Sequence, residues 1–280
     1  MKQPATGGIF EPAPARILGR TAQTCDTFLY RVAFEDGATA RRFDYRCGQF
    51  AELSVDGVGE CPVSITSSPG VQEGLEFCVR AVGEVTREIC AMGVGGSIGI
   101  RGPFGRPFPL DELRGGKLLF VAGGIGLAPL RSLINRVLRE REAFQDVTVV
   151  YGARTAADLC FRDELEEWRG GKGASVHVTV DRGGGGWQGH VGLVPDYVDE
   201  LGMRKAGATA FVCGPPIMIK IELQRFEAAG CDPSRVWTTL ERKMRCGVGK
   251  CARCLVGSKY VCVDGPVFNL GELKNLPWEE

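Results

Sequence analysis

The chain has 280 residues, with 34 lysines and arginines balanced by 34 aspartates and glutamates, 12 cysteines and two histidines. That length exceeds what one small core fills and suits two compact domains with an appendage, while the charge balance argues against nucleic acid or an anionic membrane as partner. The longest apolar run, Leu118 to Leu130, is broken by glycines and a proline and falls well short of the roughly 20 residues that cross a bilayer.

Met1 to Pro14 carries prolines and glycines where a signal peptide has an apolar stretch, so a cytoplasmic protein is expected. From Ala13 to Pro109 the pattern is one of short strands: Ala15–Thr21, Thr27–Phe34, Gln49–Val55, Val63–Ser67, Leu75–Ala81 and Ser97–Arg101, separated by glycine, proline or charged turns. One helix, about Val85–Met92, interrupts them. Six short strands with a single helix predict a small antiparallel barrel. Pro62-Val63-Ser64-Ile65-Thr66-Ser67-Ser68 is an apolar strand studded with hydroxyls, suited to hydrogen-bonding a flat polar ring system. Val82-Gly83-Glu84-Val85-Thr86 opens the helix, where Thr86 and free amides either hold a diphosphate or simply cap the helix.

From Lys117 the chain alternates apolar strand and amphipathic helix: Leu118–Ala122, helix Leu127–Glu142, Val147–Ala153, helix Phe161–Arg169, Val176–Val180, helix Leu193–Leu201, Ala210–Cys213, helix Pro216–Ala229 and Val236–Thr239. This predicts a doubly wound parallel sheet. Gly123-Gly124-Ile125-Gly126-Leu127-Ala128-Pro129 falls where the first strand ends and a helix begins, so Gly123, Gly124, Gly126, Ala128 and Pro129 are candidates for cradling a dinucleotide pyrophosphate against a helix N-terminus. Cys213-Gly214-Pro215-Pro216 follows a later strand at the same carboxyl edge, and the two loops are expected to face one crevice. Arg154, at the end of the second strand, either meets a 2′-phosphate or caps the strand. With only His177 and His190, neither in a metal or triad spacing, hydrolysis has little support.

Eight cysteines are scattered among apolar neighbours and read as small buried hydrophobes. The remaining four, Cys246, Cys251, Cys254 and Cys262, follow C-x4-C-x2-C-x7-C, whose first three positions repeat plant-type [2Fe–2S] ferredoxin spacing. A zinc ribbon has two C-x2-C pairs, and only one such pair is present. Glycines at 247, 249 and 257 let the backbone turn closely around sulfur. The expected domains are 1–109, 110–235 and a cluster segment 236–280, with Pro107 and Pro109 marking the first boundary.

Barrel, glycine loop, Cys-Gly-Pro loop and terminal cysteines, in that order, resemble the ferredoxin reductase type flavoproteins over almost the whole chain. The branch ending in a [2Fe–2S] loop includes the electron-transfer subunit of dihydroorotate dehydrogenase, sulfhydrogenase gamma subunits, the B subunit of anaerobic sulfite reductase and small subunits of bifurcating transhydrogenases. Leu240 to Cys251 with Val261 to Phe268 is similar to the cluster loop of the hydrogenase gamma and sulfite reductase B group. The resemblance implies a β plus α/β fold: a six-stranded FAD-binding barrel, an NAD(P)-binding sheet and a C-terminal [2Fe–2S] loop. It implies that Pro62, Val63, Ser64 and Ile65 lie along the flavin and that Gly83, Val85 and Thr86 take its diphosphate. Gly123 to Pro129 would take the phosphates of NAD(H) or NADP(H), and Cys213, Gly214 and Pro215 would border the nicotinamide. Glu241, just before the cluster loop, either approaches the flavin or is a solvated acid. One departure stands out. Family members usually begin the flavin strand with an arginine that pairs with the FAD diphosphate, and here Cys61 stands there, with Val63 at the usual aromatic position, leaving Arg80 or Arg87 as substitutes. The implied function is electron transfer between NAD(P)H and a partner oxidoreductase subunit, hydrogenase-like first, with anaerobic sulfite reductase, dihydroorotate dehydrogenase or a bifurcating complex next. The alternative of another class is a non-catalytic cluster protein with vestigial nucleotide loops.

Overall fold

The computed structural model describes residues 8–70, 74–170, 173–204 and 207–278. Of the Met1 to Pro14 stretch behind the signal-peptide reading, residues 1–7 lie outside the described residues. The chain forms two compact units: Met1–Phe108 with Leu240–Pro266, and Pro109–Thr239 with Val267–Glu280. Residues 236–280 therefore contribute to both.

In the first unit, β1 (Ala13–Ala22), β2 (Thr27–Phe34), β3 (Phe50–Val55), β4 (Gly59–Ser64), β5 (Leu75–Arg80) and β6 (Ser97–Phe104) form an antiparallel sheet in the order β4-β3-β6-β1-β2-β5. An antiparallel bridge between Ile65 and Phe77, with Thr66 N–H donating to Glu76 O at 2.8 Å, links the two outer strands and closes the barrel. The alternation of β1 sends Ala15 and Ile17 inward to a core that includes Tyr30, Val32, Leu53, Ile65, Phe77, Ile98 and Ile100. Two elements depart from the expectation. β4 begins at Gly59 rather than Val63, because the left-handed Gly57 (φ 72°) completes a tight return that pairs Val55 with Gly59. Pro62 is accommodated because β4 is an outer strand, where a missing N–H is tolerated. A short helix not expected from sequence, α1 (Gly37–Arg42), starts where the Asp36 carboxylate accepts from the N–H groups of Ala38 and Thr39. The expected helix is α2 (Glu84–Ala91), which buries Ile89 and Cys90.

The second unit has β7 (Lys117–Gly123), α3 (Leu127–Arg139), β8 (Val147–Ala153), α4 (Arg162–Gly170), β9 (Ser175–Val180), β10 (His190–Val191), α5 (Val194–Glu200), β11 (Ala208–Cys213), α6 (Pro216–Ala228) and β12 (Val236–Thr239). The chain then leaves for the first unit, where β13 (Leu255–Val256) and β14 (Lys259–Tyr260) make a small antiparallel hairpin. It returns as β15 (Val267–Asn269) and α7 (Leu270–Leu273). The sheet order is β10-β9-β8-β7-β11-β12-β15, parallel except for the edge strand β15, which runs antiparallel to β12. The first strand turns outward at β7, flanked by β8 on one side and β11 on the other, and such switch points open a crevice at the carboxyl edge. Phe120 and Phe211 stack at 5.3 Å between the two central strands, and both are fully buried.

Candidate functional site

The four terminal cysteines come together as two pairs. Cys246 has Cys251 as its side-chain neighbour and Cys262 has Cys254, with Cys246 also acting electrostatically on Cys262. Backbone amides point at the sulfurs: Lys250 N–H reaches Cys246 Sγ at 3.3 Å, Val248 N–H reaches it at 3.5 Å, and Gly249 N–H reaches Cys262 Sγ at 3.2 Å. Such donors stabilise thiolate. Burial opposes ionisation of Cys246, yet the amides of Val248, Cys251 and Lys250 bring its pKa down to about 7. Cys262 goes the other way, up to about 12, through burial and the neighbouring Cys254 thiol.

Gly247 and Gly249 adopt left-handed φ of 71° and 72°, and Ala252 does so at 57° between the second and third cysteines. For a residue with a Cβ that conformation costs on the order of 1 kcal/mol or more, a strain that turns the backbone around the thiols. Gly247 also has no room for a side chain: a Cβ would lie 2.8 Å from the Phe104 ring. Among the described residues no three His, Cys, Asp or Glu side chains gather as a single metal ion requires. Two thiol pairs ringed by amides fit a cluster with two irons, each taking two cysteines.

What fastens this loop to the barrel is a buried arginine that sequence reasoning missed. Arg101, on β6, is 1% exposed. Nε and Nη2 donate to the two carboxylate oxygens of Glu60, both at 2.8 Å; Nη2 also donates to Arg245 O at 3.1 Å, and Nη1 to Cys246 O at 3.2 Å and Ile9 O at 3.1 Å. All five guanidinium N–H groups thus have acceptors. Glu52, opposite Arg101 in register, is fully buried with neither carboxylate oxygen hydrogen-bonded among the described residues; burial pushes its pKa up to about 7 despite Arg101. Nothing in the local sequence marks this pairing, since it depends on which strands become neighbours.

On the flavin strand, Pro62, Val63 and Ser64 are half-buried, whereas Ile65 is in the barrel core with its N–H donating to Gln49 O. Cys61 packs against the core as a neutral thiol, its pKa raised to about 12 by burial and by the charges of Glu52, Cys90 and Glu60. Arg80, one proposed substitute cation, is held by Asp26 at 2.8 Å, while Arg87 is exposed on α2. Thr86 Oγ1 caps the helix: it accepts from the N–H of Gly83 at 2.8 Å and of Val82 at 3.1 Å. Gly83, as N-cap, has no side chain to offer the first-turn amides. A helix start with uncapped amides suits a diphosphate, and this unit supplies no arginine on the strand itself.

In the second unit the two glycine loops meet. A Cβ on Gly126 would lie 2.4 Å from Cys213 O and 2.6 Å from Gly214 Cα, and one on Gly123 would lie 2.6 Å from Met218 Sδ. Gly124 has φ 54° and open space where a Cβ would go. Ala128 and Pro129 are buried in the first turn of α3, whose N-cap Gly126 gives no side-chain cap. The result is a backbone-only cradle over a helix N-terminus, which is what a pyrophosphate fits. Cys213 is buried with Sγ 2.9 Å from Thr239 Oγ1; Gly214 is half-buried, and Pro215 is exposed as the N-cap of α6. Arg154 is exposed at the end of β8, its carbonyl accepting from Arg182 N–H at 3.0 Å. Glu241, in the first unit, faces solvent, and partial desolvation of its carboxyl raises its pKa.

Residues 120–223 match the oxidoreductase NAD-binding domain, and residues 241–274 match the iron–sulfur cluster binding domain of dihydroorotate dehydrogenase B. The sulfhydrogenase 1 subunit gamma of Pyrococcus furiosus is 36% identical over 262 residues, spanning 91% of this chain and 89% of that one. The chain belongs to the family of sulfhydrogenase gamma and dihydroorotate dehydrogenase B electron-transfer subunits. Another member is the probable dihydroorotate dehydrogenase B (NAD(+)) electron transfer subunit of Methanocaldococcus jannaschii, 34% identical over 234 residues and covering 83% of this chain and 82% of the relative. Among solved structures, the NADH-dependent reduced ferredoxin-NADP oxidoreductase, studied for flavin-based electron bifurcation, aligns over 98% of this chain and 92% of its own with a TM-score of 0.76 and 26% identity. The Amycolatopsis cytochrome P450 reductase, at 24% identity and a TM-score of 0.69, shares the ferredoxin reductase fold over 80% of this chain and 68% of its own. No helix among the described residues is long and apolar enough to cross a membrane.

Proposed function

We propose that this chain is an electron-transfer subunit passing electrons between NAD(H) or NADP(H) and a partner oxidoreductase, with FAD on the barrel and a [2Fe–2S] cluster on the 240–266 segment. The observation that carries the reading is the pair of thiol pairs with amides aimed at sulfur, fastened by Arg101 to the barrel of the same unit. When bound, the flavin supplies the exchange between two-electron and one-electron transfer, and the cluster carries single electrons.

The chain's residues have positioning roles rather than acid–base roles in this reading. Cys246, Cys251, Cys254 and Cys262 ligate iron. Gly83, Val85 and the amide of Thr86 hold the flavin diphosphate at the N-terminus of α2, with Arg87 as the exposed cation nearby in sequence; Pro62, Val63, Ser64 and the backbone of Ile65 line the ring. Gly123, Gly124 and Gly126 let the nicotinamide dinucleotide approach α3, whose start Ala128 and Pro129 shape, while Cys213, Gly214 and Pro215 border the nicotinamide and Arg154 meets the adenosine end. Glu241 approaches the flavin. The strength of the match to a sulfhydrogenase gamma subunit favours a hydrogenase-like partner, ahead of a sulfite reductase-like or dihydroorotate dehydrogenase-like one. A cytoplasmic location agrees with this.

Purified protein should show flavin absorbance that bleaches on addition of NADH or NADPH. A colourless or cluster-only preparation without response to nucleotide would refute the relay. It would favour the vestigial-nucleotide reading, to which the neutral Cys61 and the engaged Arg80 lend weight.

A further inference from the structure

The charges of the chain cancel overall, but not where the cysteines are. Between Leu240 and Pro266 there are six cations, Arg242, Lys243, Arg245, Lys250, Arg253 and Lys259, against the two carboxylates Glu241 and Asp264. Lys259 is placed 3.8 Å from Asp264, whose carboxylate also accepts from Tyr260 N–H. Lys243, Arg245, Lys250 and Arg253 are exposed, and their side chains make no ion pair among the described residues. Elsewhere arginines are commonly matched, as Arg101 is with Glu60, Arg131 with Glu164, and Arg204 with Glu222.

Two of these cations bracket Cys251, itself exposed unlike the three buried cysteines of the group. Lys250 is its immediate neighbour and Arg253 is two residues on, so their Cα atoms are within about 8 Å of its own. Leu255 and Val263, 43% and 40% exposed, add apolar surface on the same loop. An exposed iron ligand with unpaired cations and a few apolar side chains beside it has the make-up of a recognition surface, apolar contact with charge around it. Neutralising the cluster does not account for the excess: four thiolates and two sulfides around two ferric ions leave on the order of two negative charges, and three after reduction. The segment stays positive in either state.

Resting on the electron-relay reading, we infer that Lys243, Arg245, Lys250 and Arg253 form a docking collar for an acidic protein that carries its own one-electron centre. Asp and Glu side chains on the partner meet the collar, its apolar residues meet Leu255 and Val263, and the two redox centres approach across Cys251. One electron leaves the reduced cluster and one is gained by the partner centre; no bond or proton is exchanged.

The test uses the full chain loaded with FAD and cluster, NADPH or NADH as donor, and three acceptors: an acidic plant-type ferredoxin, a basic cytochrome c and an uncharged quinone. The expected result is ferredoxin reduction whose kcat/KM falls about tenfold or more from low salt to ~0.5 M, while cytochrome c is reduced slowly and faster as salt rises. The double variant Lys243→Glu with Arg253→Glu should reverse that order without changing iron content, visible spectrum or quinone reduction. Equal salt responses for both proteins, or wild-type selectivity in a fully loaded double variant, would overturn the collar while leaving the relay intact. Failure of nicotinamide to reduce any acceptor would overturn the relay, and the collar with it.

Discussion

Replacing Arg101 by leucine isolates what holds the cluster loop in shape. The substitution removes all five donors at once, leaving the Glu60 carboxylate and the carbonyl oxygens of Ile9, Arg245 and Cys246 without them. Breaking a buried ion pair from one side typically costs ~3–5 kcal/mol. Glu60 retains 29% of its side-chain exposure and can rehydrate, which lowers the expectation to about 2–4 kcal/mol. The barrel core lies on the opposite face of β6, through Ile98 and Ile100, and is untouched. The loss should therefore concentrate in the 240–266 segment. A free-energy loss of that size shifts a local opening equilibrium by roughly thirtyfold to a thousandfold. The assay is iron release to a chelator, followed by loss of visible absorbance, alongside far-ultraviolet circular dichroism to verify that barrel and sheet persist. Faster release by at least an order of magnitude in a folded protein is expected, with Arg101→Lys intermediate because an ammonium cannot span both Glu60 oxygens. Wild-type release from a folded Arg101→Leu protein would refute the clamp.

Cys254→Ser should abolish electron delivery to a protein acceptor while nicotinamide still bleaches the flavin; unchanged delivery would remove that cysteine from the ligand set. Gly126→Ala drives a methyl group to 2.4 Å from a backbone carbonyl, so the two loops must part; an increase in nicotinamide KM of more than about tenfold is expected with the cluster spectrum unchanged, and an unaltered KM would mean the cradle is not the nucleotide site. Glu222 is fully buried against Arg204, and burial outweighs that arginine to raise its pKa from 4.5 to about 6. Its folded form holds a proton that the unfolded chain releases, so its share of stability, about 2 kcal/mol, is full below pH 4.5 and is lost as pH rises through 6. Glu222→Gln should flatten chemical denaturation midpoints over that window, and a profile parallel to wild type would refute the assignment.

The chemistry-bearing motifs were legible because each is local. Cysteine spacing and glycines at strand ends have to be written in consecutive residues, and the structure brings Gly126 against Cys213 as the loops suggested. The strand–helix alternation after Lys117 was readable for the same reason, since buried runs such as Leu118 to Ala122 are continuous. What escaped depends on contacts between distant segments. Arg101 meets Cys246 only after β6 finds its neighbours, and β15 is three residues long and pairs only once β12 exists. The missed α1 did carry a signal, Asp36 before a short polar run, but six residues give too little periodicity to read. At Cys61 the family pattern suggested where a charge should be, and the thiol there stays neutral.

The chain leaves the parallel sheet at Thr239 and re-enters it at Val267, and these two residues are direct partners in the β12–β15 register, with Leu240 N–H bonded to Pro266 O at 2.9 Å just beyond. The cluster segment therefore hangs from a closed neck, as a cassette inserted into what would otherwise be a tight hairpin. Excised at the neck and replaced by a two-residue turn such as Asn-Gly, it should leave the seven-stranded sheet able to form. In such modular terms, the nucleotide sheet is a frame that the cluster segment interrupts, while the segment itself is built into the barrel unit through Arg101.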